Sequence, residues 1–264
     1  MLNKILLIFA MLLLVCTHSY ADSITIDQIL DKGEIRVGFV SDVPPYGILD
    51  KDGKPAGFDA VFARTICDNH LKVKCNFVDT TLQNRIPYLE TEKIDVMIGV
   101  MALTTERAKR IWYSNPYGGA SNVVIAKKSE SINSVDDLKG KSVGVVRGST
   151  QDRALTSIAS KEVKITRYDD DATAVQAFLT GLTDIHTSGH LTYKEINKLK
   201  PGNNYENKFK LTSFSFGIGI KKGNIDLLQY FNAVIHVMKN NGELDSIFRK
   251  TLEQPMPSDI RETL

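Results

Sequence analysis

Two stretches of this chain could receive an anion. Gly99 to Arg107, reading G-V-M-A-L-T-T-E-R, follows the apolar run Ile94 to Ile98, and Gly148-Ser149-Thr150-Gln151 follows Val143 to Val146. Each reads as a helix start behind a strand, where backbone N–H groups lack intrahelical partners and hydroxyls stand beside them, so that a carboxylate can dock. A ligand gripped by both would hold two lobes shut. That is the chemistry of capture and release of a small anion or zwitterion rather than of catalysis.

The elements that must position these turns follow from the patterning. Ile35 to Val40, Val73 to Val78 and Ile94 to Val100 read as strands, alternating with helices over Phe58 to Asn69, Leu82 to Glu90 and a short one from Thr104. A second series follows, with strands at Asn122 to Ala126, Val143 to Val146, Val163 to Tyr168 and Asp184 to Thr187, and helices near Thr150 to Ser160 and Ala172 to Thr180. A strand-like Phe214 to Ile220 and a long helix from Ile225 to Asn240 close the chain. Such alternation predicts an α/β fold of mostly parallel sheets with helices on their faces, used twice. No low-complexity tether divides the halves, so extended strands are expected to join them.

Residues 1–21 read as an export signal: Lys4 precedes the apolar run Ile5 to Cys16, and Ser19-Tyr20-Ala21 offers a cleavage position after Ala21. The run is short for a membrane span, which needs about twenty residues. Of 33 basic and 31 acidic residues, the signal carries only Lys4, so the exported part is almost neutral and no nucleic-acid partner is expected. Lipidation at Cys16 is disfavoured by Val15 before it. Cys67 and Cys75 remain after export, and an even pair in an oxidising compartment predicts a disulfide across a helix-to-strand turn. Neither His186 nor His190 has neighbours at a convincing metal-ligand spacing, and no cofactor is expected.

Five segments in order resemble the extracytoplasmic solute-binding proteins of polar amino-acid ABC importers: Gly57-Phe58-Asp59-Ala60-Val61-Phe62-Ala63, Ile94-Asp95-Val96-Met97-Ile98-Gly99, Leu103-Thr104-Thr105-Glu106-Arg107, Tyr113-Ser114-Asn115-Pro116-Tyr117 and Leu138-Lys139-Gly140-Lys141-Ser142-Val143-Gly144-Val145. The resemblance implies a two-lobed, hinged periplasmic receptor, a monomer with its ligand in the interlobe cleft and a membrane permease as partner. Lobe one would comprise 22–117 and 218–264, and lobe two 118–217. It further implies that Arg107 forks the ligand carboxylate, a geometry Lys cannot supply, while Ser149 and Thr150 bind the same group from lobe two. Arg85 resembles an arginine that approaches the ligand side chain in binders of acidic amino acids and cystine. Tyr46 would form an aromatic wall, and Leu82 would favour aliphatic or sulfur-bearing substituents.

The chain departs from that family pattern in three places. Val61 replaces an acidic residue, Ala102 stands where a hydroxyl often donates, and no carboxylate occupies Gly189, where an acidic residue should pair with a ligand ammonium. Because an uncompensated buried ammonium is costly, either carbonyls near Gly99 and Val100, the Asp59 carboxylate or the Ser188 hydroxyl takes over, or the ligand is not an ordinary α-amino acid. Strand alternation points His186 to the face of Ser188 and leaves His190 to start a surface helix. A cyclohexadienyl dehydratase on the same fold is the enzyme alternative, and it needs a positioned general acid. A soluble sensing domain is the other alternative.

Overall fold

The computed structural model describes residues 23–258 and 260; the export segment and its cleavage position lie outside the described residues. The fold is α/β, with two five-stranded sheets. In the first, β1 (Glu34–Phe39) lies between β4 (Lys74–Asp79) and β5 (Val96–Met97), parallel to both. β12 (Gly219–Lys221) then runs antiparallel to β5 and to β6 (Ile111–Tyr113). A short β2–β3 hairpin (Ile48–Leu49, Pro55–Ala56) stands apart.

The second sheet has the order β11, β7, β10, β8, β9, in which β8 (Ser142–Val146), β9 (Lys164–Tyr168) and β10 (Ile185–Gly189) are parallel. β7 (Gly118–Lys127) pairs antiparallel with β10 on one side and with β11 (Tyr205–Phe216) on the other. The chain therefore enters the second sheet along β7 and leaves it along β11, and these two long paired strands connect the lobes. Their pairing ends at Phe216 opposite Gly118, where a Cβ would lie 2.1 Å from the Phe216 ring, so the crossing needs a glycine.

The helices are α1 (Ile26–Lys32), α2 (Phe58–Thr65), α3 (Arg85–Glu90), α4 (Thr105–Ala108), α5 (Thr150–Ile158), α6 (Asp171–Leu179), α7 (Thr192–Leu199), α8 (Ile225–Asn240) and α9 (Glu243–Leu252). Among the described residues no helix is long and apolar enough to cross a membrane. α2 presents Phe58 and Phe62 to an aromatic nucleus with Tyr117 and Phe216: Phe62 stacks on Tyr117 at 4.2 Å and Tyr117 meets Phe216 edge-on at 5.0 Å. This nucleus sits where the chain crosses between sheets. Buried aromatic pairs add about 0.5–1.5 kcal/mol each beyond area burial, so this nucleus helps to stabilise the first lobe.

Three local expectations are corrected. α2 does not run on as α-helix to Asn69 but becomes a π-helical turn over Ile66–Leu71, ended by Lys72 in the left-handed region at φ 57°. Phe214 to Ile220 is not one strand, because the chain changes sheets between β11 and β12. The expected disulfide is absent: Cys67 and Cys75 are free thiols. Cys67 hydrogen-bonds Cys75 and, with burial, raises its pKa. Both pack against the apolar core of the first lobe, where sulfur serves as a small hydrophobe.

Candidate functional site

Between the lobes lies a cleft lined by residues of both lobes and open in part to solvent. Ten of the eleven predicted contact residues line it: Tyr46, Leu82, Arg85, Val100, Ala102 and Arg107 from the first lobe, and Ser149, Thr150, Ser188 and Gly189 from the second. Gly99 lies behind the wall, and its carbonyl accepts a hydrogen bond from Arg85 Nη1 at 3.3 Å.

The two guanidiniums are the dominant electrostatic feature. Arg85, the first residue of α3, is 3 % exposed, and its Nε has no hydrogen-bond partner among the described residues. Burial, reinforced by Arg107, lowers its pKa to about 9. Arg107 is 7 % exposed and donates from Nη1 to the Ala102 carbonyl at 3.1 Å; burial lowers its pKa as well. Neither forms an ion pair with a carboxylate among the described residues. Carbonyl oxygens fix both side chains, so their positive charge stays directed at the cleft. Two buried, unneutralised cations are costly unless an anion completes the site.

The first turn, Gly99 to Arg107, works differently from the expected helix start. α4 is only four residues long, and its Arg107 N–H is already taken by the Thr104 hydroxyl at 3.2 Å. The Ala102 N–H is likewise spent, on the Val100 carbonyl at 2.9 Å, so Ala102 offers the cleft its methyl group. Val100 adopts φ 44°, uncommon for a β-branched residue, and donates its N–H to Asp59 Oδ2 at 3.2 Å. In this segment the guanidinium, not the helix end, is the donor group that faces the cleft.

The second turn has the geometry of a helix start with free donors. Ser149 caps α5 by accepting from the Asp152 N–H at 3.1 Å, while Asp152 accepts from Gly148 N–H and is paired with Arg167. The N–H groups of Thr150 and Gln151 are left without acceptors among the described residues. Asn122 of β7 donates to the Thr150 hydroxyl at 3.0 Å and orients it. Tyr46 packs edge-on to Phe58 at 6.2 Å and Phe216 at 5.8 Å, and its buried hydroxyl has no partner among the described residues.

A family model described as bacterial extracellular solute-binding proteins, family 3, matches residues 35–254. The chain belongs to that family. It is similar to an L-arginine-binding protein of Pseudomonas aeruginosa, at 30 % identity over 81 % of this chain and 85 % of the relative. It is also similar to the L-cystine-binding protein TcyJ of Escherichia coli, at 29 % identity over 88 % and 87 %. Among solved structures, the ancestral amino acid-binding protein AncCDT-1, described as a precursor of cyclohexadienyl dehydratase, matches with a TM-score of 0.78 and 31 % identity, covering 86 % of this chain and 98 % of that one.

Within this solute-binding fold the sequence reading named Gln151 only as part of the second turn and missed Asn122 and Asp171; all three line the cleft. Asn122 and Asp171 carry no local signal, because their place depends on how β7 and α6 meet the other lobe. His186 faces away from function: it is fully buried, 5.9 Å from Phe178, with neither ring nitrogen partnered among the described residues. Burial lowers its pKa to about 4, which keeps it neutral. His190 precedes α7 instead of starting it, and its Nδ1 accepts from Ser121 N–H at 3.3 Å. Among the described residues no group of His, Cys, Asp or Glu could hold a metal ion.

Proposed function

We propose that this protein binds an amino acid bearing a second carboxylate, acidic amino acids first and cystine next, and delivers it to the membrane permease of an ABC importer. The observation that carries this reading is the pair of buried guanidiniums without carboxylate partners on one cleft wall, facing the open N-terminus of α5. Arg107 takes the α-carboxylate, which the Thr150 hydroxyl and the N–H groups of Thr150 and Gln151 complete from the second lobe. Arg85 takes the second carboxylate. Leu82, Ala102 and Tyr46 enclose the carbon chain between them.

Export through cleavage after Ala21, action in the periplasm and a monomeric state complete the proposal. Ligand contacts made by both lobes favour the closed form by the difference in affinity between the two forms. First-lobe side chains also reach the second lobe directly, with Gln83 Nε2 donating to the Asp169 carbonyl at 2.8 Å and Glu106 pairing with Arg153 at 3.3 Å. A permease would read the surface that closure creates.

The relatives bind arginine or cystine, and an arginine side chain would bring a third guanidinium into a cleft that already holds two. A thermal-shift screen with L-glutamate, L-aspartate, L-cystine, L-arginine, L-histidine and glutarate tests the ligand class, because a ligand selective for the native state raises its melting temperature by mass action. L-Glutamate, L-aspartate or L-cystine should give the largest shift. A shift produced by L-arginine or L-histidine alone would overturn the assignment. The dehydratase alternative loses its histidine, which is sealed from the cleft, and the matching ancestral structure is itself described as an amino acid-binding protein.

A further inference from the structure

An amino acid whose carboxylates meet Arg107 and Arg85 still brings an ammonium into the cleft. Gly189 has no side chain to receive it, and the substitutes suggested by sequence are largely occupied. Asp59 accepts from the Tyr117 hydroxyl at 2.9 Å and from the Val100 N–H, and it does not line the cleft. The Gly99 carbonyl receives Arg85, and the Val100 carbonyl receives the Ala102 N–H. Ser188 shares a 3.0 Å hydrogen bond with the Thr192 hydroxyl and carries no charge.

Asp171 is different. It is the first residue of α6, lines the cleft and is 5 % exposed, and its carboxylate accepts no hydrogen bond and forms no ion pair among the described residues. The reason lies in how the helix end is saturated. Asp170 caps α6 by accepting from Thr173 N–H at 2.6 Å, and Asp42 of the first lobe accepts from the Asp171 N–H at 3.1 Å. With those two carboxylates on the backbone donors, the Asp171 side chain is left for the cleft. Burial, then Asp42 and Asp170, raise its pKa to about 8, while Arg85 opposes the rise. It is a buried acid held near its point of ionisation, and a cation beside it would complete the transition.

We infer that Asp171 is the counter-charge for the ligand ammonium, replacing at the start of α6 the carboxylate missing at Gly189. This rests on the proposed ligand class, because only an amino acid brings an ammonium with its carboxylates. With Arg107, Arg85 and Asp171 ionised, the cleft presents two positive groups and one negative, the mirror image of an acidic amino acid. Asp42 is a positioning residue that fixes the Asp171 backbone when the lobes meet.

The test compares Asp171→Asn with the unsubstituted protein on L-glutamate and glutarate, which differ by one ammonium, and on L-cystine and 3,3′-dithiodipropionate, which differ by two. The substitution should reduce the preference for the amino acid over its deaminated partner by about tenfold or more, the deaminated partner holding or gaining affinity. Calorimetry in two buffers of different protonation heat should show about one proton released per L-glutamate bound at pH 7 by the unsubstituted protein and almost none by the variant. An unchanged preference overturns the role of Asp171 and leaves the ligand class standing; a lost preference without proton release supports the role and shows that Asp171 is ionised before binding. Failure of both L-glutamate and L-cystine to bind the unsubstituted protein overturns the ligand class and this inference with it.

Discussion

The two walls of the cleft are made of opposite materials. The first lobe contributes Arg85 and Arg107, held by the carbonyls of Gly99 and Ala102, and a core that packs the Phe58, Phe62, Tyr117 and Phe216 rings together. The second contributes an uncapped pair of N–H groups, hydroxyls and one unpaired carboxylate, Asp171. Fixed positive charge attracts an anion and is costly while empty. Under the proposed function, capture falls to the first lobe and completion of the grip to the second.

The strongest way to break this comparison is Arg107→Ala. Removing one partner of a desolvated charge pair costs about 2–5 kcal/mol, which is roughly thirtyfold to several thousandfold in affinity. Titration calorimetry should therefore find L-glutamate binding lost or nearly so, while the melting temperature of the ligand-free protein holds or rises because a buried unpaired cation is gone. Arg107→Lys should recover little, since an ammonium cannot fork a carboxylate. Retained affinity in Arg107→Ala would remove the loading role from the first lobe.

A smaller effect separates the two arginines. Arg85→Met replaces a fully buried guanidinium, one nitrogen of which is unpartnered, by an apolar side chain of similar length. The ligand-free protein should gain about 1–4 kcal/mol, as buried charges exchanged for well-packed apolar groups often do. The discrimination between L-glutamate and L-glutamine should shrink by about tenfold, the worth of one charge-assisted contact. Equal loss for both amino acids would instead mean that Arg85 holds the α-carboxylate. That result would reverse the roles of the two guanidiniums.

Much of this arrangement was legible in the chain. The run Val143 to Val146 and the helix from Thr150 stand where alternation put them, as does the long helix Ile225–Asn240. Apolar period and capping residues are local signals, and these elements depend on little else. β11 was missed over most of its length because Y-E-N-K-F-K-L-T-S-F-S-F is half exposed along an edge strand, so no clean apolar face marks it. Asp171 was missed for a different reason. It reads as one more acid in the run Asp169 to Asp171, and only the packing of α6 against Asp42 of the other lobe separates the capping acids from the one on the cleft.

The smallest expected effect is a pH dependence that again sets the lobes apart, through one buried aspartate of raised pKa in each. Burial raises the pKa of Asp59 in the first lobe to about 7 and, with Asp42 and Asp170, that of Asp171 in the second to about 8, both above the ordinary aspartate value of about 3.9. Between the ordinary and the raised values the folded protein holds protons that the unfolded chain has released, so stability falls as pH rises. His186 acts in the opposite sense: its pKa of about 4 means that the unfolded chain binds the extra proton up to about pH 6.5, and stability rises with pH across that window. The two trends oppose each other in mild acid, and only the carboxylates act from about pH 6.5 to 8. The ligand-free protein should lose about 2 kcal/mol across that upper window, a fall of several degrees in melting temperature. Asp171→Asn should remove more of the decline than Asp59→Asn, because the higher pKa keeps Asp171 titrating to the end of the window. Saturating L-glutamate should flatten the decline that Asp171 causes, since the bound ammonium lets its carboxylate ionise without penalty. A melting temperature that rises from pH 6.5 to 8 would mean that neither carboxylate is held protonated by the fold, and the two walls would differ only in their cations.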